Sequence, residues 1–189
     1  MSEIDSRILT KSVAYMRELE DQGLIPPRLS VNVSYARLTD PNLRRPIERL
    51  PGAATKLVFE IVEAVLLDDR NDLTSWELDA IRERGIGIEL DDFGTGHAPV
   101  VGLTQRRPDR MKGDKKFIIS LPDRSCEDLL RTIVGIGRAM KIPLTAEGVE
   151  TEAQAQILRA LGVDTLQGYL FGKACRFPEP RTALQNRAA

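Results

Sequence analysis

The sequence has few of the histidine and cysteine residues that form zinc sites and disulfide scaffolds. It contains one histidine and two cysteines in 189 residues, and Cys126 and Cys175 stand far apart without metal-type spacing. This pattern favours a reduced protein over a disulfide-stapled one and predicts a cytoplasmic location. We interpret His97 as a loop residue rather than a metal ligand, because zinc sites draw on several histidines and cysteines together.

Neither sign of charge dominates. The 27 basic and 28 acidic residues leave a net charge of -1, which excludes the basic footprint of a nucleic-acid polymer partner. No apolar run approaches the ~18 residues of a membrane span, so we expect no membrane contact by this chain itself. The sequence also lacks a Walker pattern, a dinucleotide fingerprint and a serine in an elbow sequence, which leaves P-loop, Rossmann and Ser-His-Asp chemistry without support.

What is present is an alternation of short β-rich runs with amphipathic helical patterns, which is typical of parallel βα units in an α/β fold. With 42% hydrophobic residues, the chain can form one domain or a piece of a larger one. Helices are predicted over 4–21, 73–85, 126–141 and 151–162. Six strands are predicted over 29–34, 56–62, 85–90, 109–114, 142–149 and 163–168. The fourth is the weakest, because Gly113 lies in its interior.

Polar residues lie at or just past the end of each predicted strand. They are Asn32, Glu60, Glu63, Asp91, Asp92, Lys112, Asp114, Glu147, Glu150 and Gln167. In a barrel of parallel strands these ends converge on one face, where the active site lies. The alternative is that each carboxylate only caps the helix that follows.

The chemistry of this set points to hard cations. Carboxylates with a neutral amide oxygen, and no cysteine or histidine, favour Mg²⁺ or Mn²⁺ over zinc. Asp91 and Asp92 could each serve one of two metals held ~3.5–4 Å apart, an arrangement that cleaves phosphodiesters. Lys112 could orient the attacking water or neutralise a phosphate, and the alternative is an ordinary surface lysine. The segment "FGTGHA" is suited to a mobile loop over the site.

Six segments resemble a known family when they are taken together. The segments "SVNVSYARLTDPNL", "FEIVEAVLLDD", "IELDDFGTGHA", "MKGDKKFI", "TAEGVETEAQA" and "LQGYLFGKA" are similar to the EAL domains, which are bacterial cyclic di-GMP phosphodiesterases. The resemblance runs from about Ser2 to Ala174. It implies a TIM-like barrel of eight βα units that binds Mg²⁺ or Mn²⁺ and hydrolyses cyclic di-GMP to pGpG. It also implies a homodimer and attachment to GGDEF or sensory domains in a longer parent chain.

The resemblance assigns roles to individual residues. The metal ligands that it implies are Asn32, Glu60, Asp91, Asp92 and Asp114. Lys112 resembles the lysine that holds the catalytic water, and Glu147 the general base or its metal-bound partner. Glu150 and Gln167 resemble residues that support the site and the nucleotide, and Glu63 the glutamate that holds the DDFG loop.

The chain departs from the family in several places. It has no Glu-Ala-Leu sequence, and only six of eight βα units are recognisable, so we expect an incomplete barrel over 1–176 and a tail or linker over 177–189. A fragment of a longer protein, a partner chain or altered packing would account for the gap. Gly113, Pro99 and Arg106 replace a branched apolar residue, a small polar residue and a leucine.

Two other functions stay open beside hydrolysis. The first is a catalytically inactive EAL module that binds cyclic di-GMP or a protein partner, motivated by the absent glutamate and by Gly113 next to Lys112. The second is a barrel remnant that serves only for dimerisation.

Overall fold

The computed structural model describes residues 2–40, 54–63, 75–94, 100–121 and 123–174. All six predicted strands are present, and they form one sheet in chain order. Each pair with a defined register is parallel. The strands are β1 (Arg28–Asn32), β2 (Lys56–Val62), β3 (Gly87–Phe93), β4 (Arg110–Gly113), β5 (Leu144–Ala146) and β6 (Thr165–Leu166).

Helices follow or precede the strands as the periodicity predicts. The four predicted helices are α1 (Ser2–Glu20), α3 (Ser75–Arg82), α6 (Arg124–Met140) and α7 (Glu152–Leu161). Three short helices that the sequence analysis did not predict are α2 (Tyr35–Leu38), α4 (Val100–Arg106) and α5 (Lys115–Ile119). The alternation of strand and helix confirms the α/β class.

The chain divides into two compact units. The first comprises Met1–Ile61, Leu73–Ile88 and Ala174–Ala189, and the second Val62–Asp72 and Glu89–Lys173. In the first unit, α1 buries Leu9, Met16 and Leu19, whereas Ile8, which helical spacing would also put on this apolar stripe, is 50% exposed. The stripe of α1 is therefore narrower than its sequence indicates.

In the second unit, α6 and α7 have well-defined ends. Asp123 caps the start of α6, and Thr151 forms a capping box with Gln154 at the start of α7. Gly162 ends α7 in the left-handed conformation, which glycine adopts without strain. These helices bury Leu130, Ile133 and Leu158, which places an apolar layer beside the strands that carry the candidate site.

The weak fourth strand is formed despite Gly113. Gly113 pairs with Ala146 of β5 and with Phe93 of β3, and it is buried. Arg106, which stands where the family has a leucine, is only 9% exposed and has an interaction partner within the fold. The replacement is therefore accommodated inside the fold.

Several predicted features lie outside the described residues. They are the loop from Thr95 to Pro99 with His97, residue Cys175, and the tail over 177–189. Within the described ranges, no helix is both long and apolar enough to cross a bilayer.

Candidate active site

A lysine and two carboxylates from three neighbouring strands meet at the centre of the second unit. Lys112 Nζ lies 2.7 Å from Glu147 Oε1 and 3.2 Å from Asp91 Oδ1. The Lys112 side chain is only 5% exposed, so the amine is held in the fold and is not the surface lysine of the alternative interpretation. Parallel strands bring these residues together because Lys112 is in β4, Asp91 in β3, and Glu147 directly follows β5.

One oxygen of this triad lacks a hydrogen bond. Within the described part of the chain, Asp91 Oδ1 is among the buried side-chain atoms that have no hydrogen-bond partner. Lys112 Nζ is close enough for an ion pair but does not meet hydrogen-bond geometry. A buried carboxylate oxygen without a donor is costly, and a cation would relieve that cost.

Asp92 reaches its position through an irregularity in β3. We expected the paired aspartates just past the strand end, but β3 continues to Phe93 and its register shifts between Leu90 and Phe93. Asp92 has φ of 56°, a conformation that aspartate tolerates better than most residues. Successive side chains of a regular strand point to opposite faces, and the irregularity interrupts this alternation at Asp91 and Asp92.

The pKa of Asp92 is raised, first by partial burial and then by the negative charges of Asp91 and Asp114. Lys112 and Lys116 oppose this effect. A raised carboxyl pKa beside other carboxylates means that the negative charges are incompletely compensated. This is the electrostatic condition under which a divalent cation binds favourably.

Asp114 has a role that the sequence left open. It is the N-cap of α5, where its Oδ1 accepts a hydrogen bond of 2.7 Å from the Lys116 amide. The capping interpretation is therefore correct for the Oδ1 atom of this residue. Its Oδ2 lies 3.8 Å from Lys116 Nζ, a longer and more exposed contact.

Glu63 holds the turn that follows the paired aspartates. The side chain is buried, and Oε2 accepts a hydrogen bond of 2.7 Å from the Gly94 amide. On the other side of the turn, a Cβ added at Gly94 would lie 2.9 Å from the Phe117 ring. Glu63 and Phe117 thus confine Gly94, and only glycine fits there with φ of 95°.

Glu150 and Gln167 lie at exposed positions after β5 and β6. The Gln167 amide donates to the Ala146 carbonyl at 2.9 Å, and its carbonyl accepts from Val149 at 3.0 Å. The Glu150 amide donates to Gln154 Oε1 at 2.9 Å. Their backbones are fixed while their side chains face solvent, which suits contact with a ligand.

Asn32 and Glu60 belong to the first unit. They are Cα partners in the register of β1 and β2, so the two side chains share a face of that strand pair. Asn32 is exposed and Glu60 half-buried.

The metal prediction can be tested against the donors present. All the predicted ligands have oxygen donor atoms. Asp91 Oδ1, which accepts no hydrogen bond from the described residues, is suited to coordinating a hard cation. The described residues contain no group of three or more His, Cys, Asp or Glu placed to hold a metal, however. The residues fit a divalent cation in chemistry, while Lys112 is the cation that Asp91 contacts here.

The sequence analysis missed a polar cluster next to the triad. Arg110 Nη1 donates to Thr165 Oγ1 at 2.7 Å and to Thr145 Oγ1 at 3.3 Å, and its Nε lies 3.4 Å from Glu89 Oε1. Glu89 and Thr145 are buried. The available signal was the period of two in the strands, since every member of this cluster lies two residues before a predicted site residue.

Comparison with known proteins identifies the family. The model of the EAL domain family matches residues 1–174, and the chain therefore belongs to the EAL domain family. The predicted family is confirmed.

Two relatives from Pseudomonas aeruginosa have assigned activities. The chain is 32% identical over 177 residues to the bifunctional diguanylate cyclase/cyclic di-GMP phosphodiesterase MucR, covering 90% of this chain and 26% of that protein. It is 30% identical over 190 residues to the cyclic di-GMP phosphodiesterase NbdA, covering 98% of this chain and 24% of that protein. The chain thus spans about a quarter of each relative's length.

A solved structure confirms the predicted fold type. The MucR phosphodiesterase in complex with c-di-GMP superimposes with a TM-score of 0.82 at 29% identity, covering 94% of this chain and 74% of that one. The six parallel strands therefore correspond to an EAL-type, TIM-like barrel of which this chain holds a part.

Proposed function

We propose that the chain hydrolyses cyclic di-GMP to pGpG with the help of bound Mg²⁺ or Mn²⁺. The observation that carries the proposal is the buried contact of Lys112 with Asp91 and Glu147. Family membership and the activities of MucR and NbdA indicate the substrate.

The reaction needs a water to attack phosphorus while the P–O3′ bond breaks, which leaves a 5′-phosphate on the linear product. In this proposal Glu147 accepts the proton of the attacking water. Lys112 holds that water or balances the charge on the phosphate, and the carboxylates at 2.7 and 3.2 Å keep its amine in place. Gln167 and Glu150 contact the nucleotide from their exposed positions.

Asn32, Glu60, Asp91, Asp92 and Asp114 are the residues that would hold the metal ions. When bound, the ions lower the pKa of the attacking water and stabilise charge on the phosphate and the leaving oxygen. Glu63 supports this set by fixing Gly94, two residues after Asp92.

A second candidate is nucleotide binding without hydrolysis. It is favoured by the finding that no three acidic, histidine or cysteine side chains in the described residues are placed around a common metal position. A receptor of this kind would keep Gln167 and Glu150 for the ligand and would need no general base.

The two candidates are separated by titrating the chain with cyclic di-GMP in Mg²⁺ and then in EDTA, with chromatography of the same samples. Hydrolysis predicts pGpG in Mg²⁺ and none in EDTA. Glu147→Gln should remove turnover while nucleotide binding stays measurable, because the amide keeps the shape but cannot take the proton. Binding by the wild type without product would support the receptor function instead.

A further inference from the structure

The strands of the second unit carry a set of polar residues shortly before the candidate site residues. On each of β3 to β6, one predicted site residue in or just after the strand has a polar residue two positions before it, whereas Asp92, with Leu90 at that position, does not. The pairs are Glu89 and Asp91, Arg110 and Lys112, Thr145 and Glu147, and Thr165 and Gln167. Side chains two apart in a regular strand point to the same face, which applies to Arg110 and Lys112 in β4. The earlier members of the other pairs join Arg110 through direct contacts, and we call these four residues the lower layer.

Arg110 joins all four strands of this lower layer. Its guanidinium contacts Thr165 at 2.7 Å, Thr145 at 3.3 Å and Glu89 at 3.4 Å. The planar fork of arginine can satisfy several acceptors in fixed directions, which a lysine cannot. One side chain therefore ties β3, β5 and β6 to β4.

The last two strands are short. β5 is three residues long and β6 only two, and their shared register consists of Thr145 with Thr165 and Ala146 with Leu166. Such a short ladder specifies register weakly. Backbone hydrogen bonds from Gln167 to Ala146 and from Val149 to Gln167 hold the end of this ladder. The contacts of Arg110 with both threonines add a side-chain constraint at its start.

The lower layer is also costly to keep unless it is complete. Glu89 is 4% exposed and Thr145 1% exposed. Leaving either buried polar side chain without a partner would lower the free energy of unfolding. A barrel interior is ordinarily filled by branched apolar side chains. Polar residues that contact one another at these positions indicate specific hydrogen bonds and ion pairs rather than nonspecific packing of the barrel interior.

We propose that Arg110 is a positioning residue, which sets the places of Glu147 and Gln167 through Thr145 and Thr165. It touches neither substrate nor reacting atoms. The inference rests on the proposed function for the importance of Glu147, but the positioning itself is a property of the fold.

Amide hydrogen exchange by NMR tests the positioning without turnover. In Arg110→Met, which keeps the length of the side chain and removes its donors, the Gln167 amide should exchange at least ~10-fold faster while the Val134 amide of α6 is unchanged. Arg131→Met is the matched control, since Arg131 is exposed on α6 and pairs with Glu127 one turn earlier in the same helix; it should change neither amide. Unchanged exchange at Gln167, or equal acceleration of both amides, would overturn the proposal.

Kinetics with cyclic di-GMP provides the second measurement. Arg110→Met should lower kcat ~10-fold or more with KM little changed, because misplacing a reacting group by ~1 Å costs rate more than affinity. Arg110→Lys keeps the charge but not the planar guanidinium group, so its kcat should fall between those of wild type and Arg110→Met. A kcat equal to wild type in Arg110→Met would count against the inference. If the wild type shows no turnover at all, the proposed function fails, and the exchange result alone decides the role of Arg110.

Discussion

The amine of Lys112 lies 2.7 Å from Glu147 Oε1 with its own side chain 5% exposed. The two residues are 35 positions apart in sequence. They meet because Lys112 pairs in register with Thr145, and Glu147 follows two residues later. Lys112 also contacts Asp91, so one cation serves two carboxylates.

Replacing Lys112 should therefore destabilise the fold as well as stop turnover. Lys112→Met leaves Asp91 and Glu147 facing each other without a cation, and we expect a loss of about 2–4 kcal/mol in the free energy of unfolding. Urea denaturation at pH 7 without added metal measures it. Lys116→Met is the control, because Lys116 is 74% exposed and should change stability by less than about 0.5 kcal/mol. Equal midpoints for both variants would show that the buried contact contributes nothing to stability.

The hydrogen bond from Gly94 to Glu63 should control the turn after the paired aspartates. Glu63→Ala leaves the Gly94 amide without its acceptor, which costs about 1–3 kcal/mol and speeds exchange of that amide. Glu63→Gln keeps an acceptor oxygen and should recover part of both effects. Unfolding curves and the exchange rate of Gly94 are the measurements. If the alanine and glutamine variants have the same stability and the same Gly94 exchange rate, the hydrogen bond to the side-chain oxygen does not stabilise the turn.

Cys126 should be a slow nucleophile near neutral pH. Its partial burial raises the pKa of the thiol, and the negative charge of Asp123 adds to the effect, while a hydrogen bond with Ser120 opposes it. A raised pKa lowers the thiolate fraction at pH 7.5, so alkylation by iodoacetamide should be slower than for an unperturbed thiol and should rise with pH to a higher midpoint.

Asp123→Asn isolates the electrostatic part of this effect. Asparagine still caps α6, where Asp123 accepts from the Ser125 amide, but it carries no charge. Alkylation at pH 7.5 should therefore become faster, measured by mass spectrometry in a Cys175→Ser background. A slower or unchanged rate would contradict the assigned influence of Asp123.

The sequence predicted the six strands because they follow from local periodicity, but it ended β3 before the paired aspartates, which lie inside that strand. The apolar runs of β2 and β3 and the polar residues at their ends need no long-range information. The contact of Lys112 with Glu147 depends on the register of β4 and β5, which single-strand patterns do not contain. The bulge at Asp92 was equally invisible, since the sequence does not show where a register will shift.

Asp114 and Arg110 illustrate two other limits. An aspartate before a helix suits both a cap and a metal ligand, so residue type could not separate the two roles of Asp114. Arg110 was passed over because a charged residue in a short strand resembles a solvent-facing position. Its partners Thr145 and Thr165 are of a residue type that is common in strands. Their contact with Arg110 can be recognised only when the register of the strands is known.

Gly113 provides a test of whether the Lys112 strand is weakened by its glycine. A Cβ added there meets only the Thr145 carbonyl at 3.8 Å, an ordinary contact, and no positive φ restricts the position. Gly113→Ala should therefore stabilise the protein by about 0.4–1 kcal/mol, because alanine has less conformational freedom to lose on folding.

Gly137 is the matched control for this substitution, since it is also buried and also free of positive φ. A Cβ at Gly137 would lie 2.8 Å from the Ile142 carbonyl, closer than real contacts allow, so Gly137→Ala should destabilise despite the better helix propensity of alanine. Urea midpoints of the two variants should consequently move in opposite directions. If Gly113→Ala also destabilises, a glycine is required beside Lys112, and the departure from the family pattern at this position is then an adaptation of the strand to its neighbours and not a weakness of it.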